Sequence, residues 1–271
     1  MNGVNKTLYI PLYGKAYVSK KGIILNDKTA EQIWEKEGFE LKGKSKSKWL
    51  AYYMGMRSAV FDNWLKAQME EDEEAIILHI GCGMDSRINR VGTNGHAWYD
   101  VDFPDVIQER KLYYQEDEFY HMIESDARKN AWIPALPESK NAIIVMEGVT
   151  MYFKTDELKQ LLKDLTNHFN QVSILMYMTV VYSKYTRGIK YNNKSTAIYR
   201  GVVVNITAVN DKVTMQVCKC GIISHHMVVA DISSIVHNQY TALGNIGNRC
   251  IEIICIFNID GCVMRNLCAR I

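Results

Sequence analysis

The stretch LHIGCGMDSR, residues 78–87, decides the fold. It continues the apolar run AIILHI (75–80), which follows the acidic cluster EEDEE (70–74). A short apolar run that ends at glycine reads as a buried strand. One glycine suffices for a turn; two, one residue apart, free the backbone to approach a ligand closely. Working outward, HAWYDVD (96–102), FYHMIESD (119–126), NAIIVMEG (141–148) and VSILMYM (172–178) are four further strand candidates. Between them lie helix candidates over 105–114, opened by Pro104, and over 155–169, where Leu158, Leu161, Leu162, Leu165 and Phe169 share a face and Thr155 is placed to cap. Short apolar strands alternating with helices predict an α/β, Rossmann-like parallel sheet covered on both faces.

Upstream, the first 70 residues read as helical and polar. A helix over 29–36 has Asp27 as its N-cap, and a longer one over 49–69 repeats Tyr52, Met56, Ala59, Val60, Trp64 and Leu65 at three- and four-residue steps. Lys42, Lys44, Lys46 and Lys48, separated by glycine and serine, read as a solvated loop.

The 271 residues suffice for one large domain with a real core, and a net charge of +2 points to neither nucleic acid nor membrane. The first residues lack a basic segment followed by a long apolar one, and no apolar stretch reaches the length of a membrane span. Seven cysteines, an odd number at irregular spacing, read as reduced thiols in a cytoplasmic protein. With no Cys-x-x-Cys spacing, no metal site is expected.

Ligands of open α/β sheets bind outside the carboxyl ends of the strands. Here those ends are Gly81-Cys82-Gly83, Asp102, Asp126 and Glu147-Gly148: glycines, then three acids. An acid about twenty residues after the glycine turn suits ribose hydroxyls. The pyrophosphate signature is incomplete, however. Ser86 stands at the third glycine position, and Asp85 adds a carboxylate that would repel a diphosphate. A phosphate-free, positively charged cofactor such as S-adenosylmethionine suits the acids better. Competing structural readings are a plain strand-to-helix turn for the glycines, N-caps for the acids, and an Asp85–Arg87 pair that braces the turn.

HIGCGMDSRINRV (79–91) followed by HAWYDVDFPDVIQERK (96–111) resembles the leucine carboxyl methyltransferase group, which includes bacterial polyketide carboxyl methyltransferases. The resemblance extends to LYIPLYGKA (8–16), YYMGMRSAVFDNWL (52–65), ESDARK (124–129) and VMEGVTMYF (145–153), so it covers about 7–176. It implies a class I methyltransferase using S-adenosylmethionine, with a mostly parallel seven-stranded sheet and an N-terminal helical cap. It implies that Arg57 and Lys15 face the methionine carboxylate and that Gly81 and Gly83 flank the methionine part. Asp102 would hold the ribose. Asp126 and the Ala127 backbone would meet the adenine amine, where the family usually has Leu instead of Ala127. Glu147 would lie beside the methionine amino group, and Tyr152 is a candidate for lining the transfer site. No catalytic residue is assigned, because a carboxylate acceptor is already ionised and needs no general base. The expected partner is a small-molecule carboxylic acid. The alternatives are an inactive cofactor-binding remnant and a nicotinamide-dependent oxidoreductase.

The expected division is a helical cap over 1–74, a cofactor-binding core over 75–177 and a C-terminal segment over 178–271. Residues 176–271 hold four acidic and ten basic residues and six of the seven cysteines, without proline or tryptophan. GVVVNITAV (201–209) and KVTMQVCKC (212–220) alternate like a hairpin about Asn210-Asp211, and CIEIICIFNID (250–260) reads as a strand. Two explanations of the compositional change stand: a diverged acceptor domain, and a shift of reading frame near codon 177.

Overall fold

The computed structural model describes residues 5–38, 41, 43–138, 140–182, 198–209, 212–220 and 251–254, those beyond 177 by their backbone alone. Three helices, α1 (Asn5–Lys20), α2 (Lys28–Glu37) and α3 (Lys48–Glu71), precede the sheet. Strand β1 (Ile76–Ile80) leads through the glycine turn into the short α4 (Arg87–Val91), then β2 (Trp98–Asp102), α5 (Pro104–Arg110), β3 (Tyr120–Glu124), β4 (Asn141–Met146), α6 (Thr155–His168) and β5 (Gln171–Tyr182). The order across the sheet is β3-β2-β1-β4-β5, all parallel. Chain direction along the sheet reverses between β1 and β4, which makes their carboxyl ends the switch point.

Beyond β5, the strands β6 (Ile198–Val209) and β7 (Lys212–Cys220) form the expected antiparallel hairpin, and β8 (Ile251–Ile254) pairs in parallel with β7. The expected count of seven strands is therefore corrected. A parallel core of five carries three more, because the outer edge of the hairpin presents unpaired backbone groups on which β8 adds. The hairpin turn at 210–211 and most of 250–260 lie outside the described residues.

Alternation along each strand splits the core in two. Ile76, Leu78, Ile80, Ala142, Ile144 and Met146 face Leu158, Leu161, Leu162 and Leu165 of α6, as their spacing predicts. Ile77, Ile143, Val145 and Trp98 face the opposite side, against Leu12, Ile33, Phe61 and Leu65 of the first three helices. Helices α1 and α3 cross closely: a Cβ on Gly14 would sit 2.6 Å from Met54 Cβ, and one on Gly55 2.7 Å from Val18. Asp27 caps α2 as expected, accepting from the Ala30 backbone N–H at 2.9 Å. The cap position of α6 is Lys154, one residue before Thr155, with the Glu157 carboxylate accepting the Lys154 backbone N–H.

The buried face of α3 also differs from the expected apolar stripe. It consists of Ala51, Gly55, Arg57, Ser58, Phe61, Asp62, Leu65 and Met69, while Val60 is exposed. Three polar residues lie inward because acids and arginines of the sheet side meet them there.

Candidate cofactor site

The turn after β1 fits only glycine at its first position. Gly81 has φ +70°, and a Cβ there would lie 2.5 Å from Val149 Cβ, beside the exit of β4. Gly83 also has positive φ, +51°. Its backbone N–H donates to Asp102 Oδ2 at 2.8 Å, so the ends of β1 and β2 are tied together. Asp102 Oδ1 accepts the Phe103 N–H at 2.8 Å. Burial raises the Asp102 pKa despite these two bonds.

Glu147, at the end of β4, is buried and receives Arg57 Nε on Oε1 at 2.8 Å, Ser58 Oγ at 3.2 Å and a second guanidinium, that of Arg87, on Oε2. Burial would raise its pKa, but Arg57, Lys15 and Arg87 overcome that and hold it far below the usual carboxylate range. The Arg57 guanidinium lies over the Tyr177 ring at 4.6 Å, with its Nη2 against Gly148. Tyr53 and Tyr177 join by a hydroxyl–hydroxyl bond of 2.6 Å.

A second layer lies beneath. Arg87 is fully buried; it donates to Asp62 through Nε at 2.8 Å, and its Nη1 meets His79 Nε2 at 3.0 Å and forms an ion pair with Asp85 at 3.1 Å. The expected Asp85–Arg87 brace is thus present. Asp85 also pairs with Lys15 at 2.8 Å and Arg90 at 2.9 Å, and Arg90 reaches Asp27 and Asp62, each at 2.6 Å. Four cations (Lys15, Arg57, Arg87, Arg90) and four anions (Asp27, Asp62, Asp85, Glu147) therefore interlock with no net charge. Asp85 does not present the repelling charge that its place in the sequence suggests: Lys15, Arg87 and Arg90 neutralise its carboxylate. Next to this network, Asp100 holds Arg110 at 2.5 Å, and Arg110 donates to the Gly83 and Asp85 carbonyls at 3.0 and 2.7 Å, pinning the turn from below.

Of the residues singled out, Gly81, Gly83, Asp102, Arg57, Glu147 and Lys15 come together around the ends of β1, β2 and β4. Asp126 lies at the end of β3, capping a short turn that contains Ala127 and gripping Arg128 at 2.8 and 2.7 Å. Tyr152 stands 55% exposed in the segment after β4, outside the buried network. Sequence reasoning missed Arg90, Asp62, Ser58 and the Asp100–Arg110 pair. The available signals were polar residues at Ser58 and Asp62 in helical register with Ala51, Gly55 and Leu65, and arginines three apart on one face of α4. Among the described residues no group of three His, Cys, Asp or Glu side chains is placed to hold a metal, and no helix is long and apolar enough to cross a membrane.

A Rossmann-like sheet with a glycine turn at its switch point and acids at the next strand ends defines the class: proteins that hold an adenosine-containing cofactor at the carboxyl ends of a parallel sheet. Residues 10–166 match the leucine carboxyl methyltransferase family, and the chain belongs to it. It is 26% identical over 193 residues to the tetracenomycin polyketide synthesis O-methyltransferase TcmP of Streptomyces glaucescens, covering 69% of this chain and 72% of that protein. It is 28% identical over 191 residues to the S-adenosyl-L-methionine-dependent methyltransferase dpfgK of Gibberella zeae, covering 64% of each. Among solved structures, magnesium protoporphyrin IX methyltransferase of Synechocystis PCC 6803 with bound SAM superposes with a TM-score of 0.38 at 13% identity, over 66% of this chain and 79% of that one. The chain is a methyltransferase whose cofactor is S-adenosylmethionine. The nicotinamide oxidoreductase and inactive-remnant alternatives find no support in these relatives.

Proposed function

We propose that the chain methylates a carboxylate oxygen of a small-molecule acid. One observation carries the cofactor half of this reading: the bare-backbone turn Gly81–Gly83, Asp102 and the Arg57–Glu147 pair meet at the reversal of strand order. The donor set suits a cofactor made of an adenosine and an amino acid. The buried network is already neutral, so a zwitterionic amino acid enters without unbalancing it, whereas a diphosphate would add uncompensated charge. When bound, the sulfonium supplies an electrophilic methyl carbon.

The chain's own residues then bind and orient. Arg57, with Lys15 behind it, would receive the amino-acid carboxylate bidentately. Glu147 would accept from the ammonium group. Gly81 and Gly83 would let the chain between them lie against bare backbone, and Asp102 would accept from the ribose hydroxyls. Asp126 would take the adenine amine, with the Ala127 backbone, by exchanging its Arg128 contact. An ion pair as exposed as that one contributes little and yields readily. Tyr152, exposed just after β4, would line the transfer site.

Methyl transfer to a carboxylate requires alignment and exclusion of water, not a base. The relatives support this acceptor class: the family is described by a carboxyl acceptor, and one relative is an O-methyltransferase of polyketide synthesis. His79 is not a base for an acceptor. It is fully buried, burial lowers its pKa, and it faces Asp85, Asp100 and Arg87.

Calorimetry with S-adenosylhomocysteine tests the cofactor site: binding by the native chain and loss of affinity in Asp102→Ala are expected, and unchanged affinity in the variant overturns the assignment. Incubation with labelled S-adenosylmethionine and a panel of carboxylic acids and phenols tests the acceptor. Alkali-labile label on an acid is expected; alkali-stable label confined to phenols overturns the carboxylate reading.

A further inference from the structure

We propose that Arg87 is the positioning residue of the amino-acid subsite, acting on ligand only through Glu147. The inference rests on the cofactor reading above and extends it to a residue that no ligand can touch. Arg87 has no exposed surface. One edge of its guanidinium is fixed by Asp62 at 2.8 Å and another by Asp85 at 3.1 Å, so it is anchored to α3 and to the glycine turn at once. The remaining nitrogen donates to Oε2 of Glu147, while Arg57 holds Oε1 at 2.8 Å.

The two arginines on Glu147 are not equivalent. Arg57 is held by Glu147 and stacks over the aromatic rings of Tyr177 and Tyr53, next to Gly148. It can transfer to an incoming carboxylate. Arg87 is held by two further acids and cannot. When Arg57 turns to the ligand, a Glu147 held otherwise by the neutral Ser58 hydroxyl at 3.2 Å would have no guanidinium to fix its charge and direction. Arg87 keeps Glu147 ionised and aimed, with Oε1 presented to the ammonium group. A planar guanidinium fixed at two edges sets direction as well as charge, which a lysine ammonium does not.

The test separates ligands by what they carry. Binding of S-adenosylhomocysteine is measured beside 5′-methylthioadenosine, which shares the adenosine and thioether but lacks the amino acid. In Arg87→Lys, which keeps the buried charge, affinity for S-adenosylhomocysteine should fall roughly 30-fold, in the range for loss of a buried hydrogen-bonded charge contact. Affinity for 5′-methylthioadenosine should change less than about threefold. In a Glu147→Gln background the Arg87→Lys effect should vanish, because the path runs through that carboxylate. Equal weakening of both ligands, or an undiminished effect in the Glu147→Gln background, overturns the inference and leaves the cofactor reading intact. Should Arg87→Lys unfold, Asp62→Asn releases the same anchor from the other side and must show the same ligand split. Failure of the native chain to bind S-adenosylhomocysteine overturns the cofactor reading itself, and this inference with it.

Discussion

Replacing Gly81 by alanine should be among the most damaging single-methyl changes in the chain. Two separate terms contribute. Gly81 sits at φ +70°, where an L side chain is strained by about 1–2 kcal/mol. The new Cβ would also lie 2.5 Å from Val149 Cβ and Cγ2 and 3.0 Å from Cγ1, against an optimal carbon–carbon separation of about 3.5–4.0 Å. Val149 is held just past Gly148, so relief means parting the exits of β1 and β4, an overpacking cost of about 1–3 kcal/mol. Together the terms give about 2–5 kcal/mol, a fall in Tm of about 4–20 °C for a chain of this size. Gly95 provides the control: φ is +90°, but a Cβ there meets nothing within 4 Å, so Gly95→Ala carries the backbone term alone. Urea denaturation followed by tryptophan fluorescence, on both variants and on Gly81→Ala/Val149→Gly, separates the terms. The steric part should return in the double variant and the backbone part should not. A loss in Gly81→Ala no larger than in Gly95→Ala refutes the claim that the two strand exits touch.

Acid stability should depend on Asp100. Burial alone would raise its pKa; Arg110, His79 and Tyr120 outweigh that and hold it at about 2. A depressed carboxylate stabilises the fold above its unfolded value and loses that contribution as pH falls through the folded one, so Asp100 supplies about 2 kcal/mol that disappears between about pH 4 and pH 2. Urea midpoints of the native chain and Asp100→Asn should therefore converge over that window; a constant gap from pH 7 to pH 2.5 would sink the assignment. His79, whose pKa is lowered chiefly by burial, adds a separate fade that begins as pH drops below 6.5. Cys82 lies between the two glycines yet is buried, and burial pushes its thiol well above the usual range. Peptide mass spectrometry after iodoacetamide treatment should find Cys82 unmodified at neutral pH in the folded protein and modified in urea; rapid labelling when folded would mean that the turn opens.

Much of the parallel core was legible because its signals are local. The expected starts and ends of β1 to β5 fall within a few residues of the observed ones, since apolar runs bounded by glycine, proline and acids mark strands wherever they pack. The leucine face of α6 was equally plain. Helix α1 was harder, because Pro11 lies inside it and a proline ordinarily reads as a break. The face of α3 was misjudged by about one residue, and the reason is chemical. Apolar periodicity assumes that the inward face is apolar, whereas Arg57, Ser58 and Asp62 turn inward to meet Glu147 and Arg87.

Sequence alone determined the class of fold, the glycine turn and which acids stand at the strand ends, because strand length, turn residues and alternation are properties of neighbours along the chain. It could also assign Arg57 and Glu147 to one ligand by resemblance, but not to each other. Tertiary structure decided the pairing: residues 57, 62, 85, 87, 90 and 147 lie on four elements, and only the packing of α3 across the β1/β4 reversal makes them one neutral cluster. The role of Asp85 turned on that packing. In sequence it is a bare carboxylate beside the glycines; in the fold it is enclosed by Lys15, Arg87 and Arg90, and its charge braces the turn from within. Charge balance in a desolvated site is a sum over groups distant in sequence, and the chain order does not contain that sum.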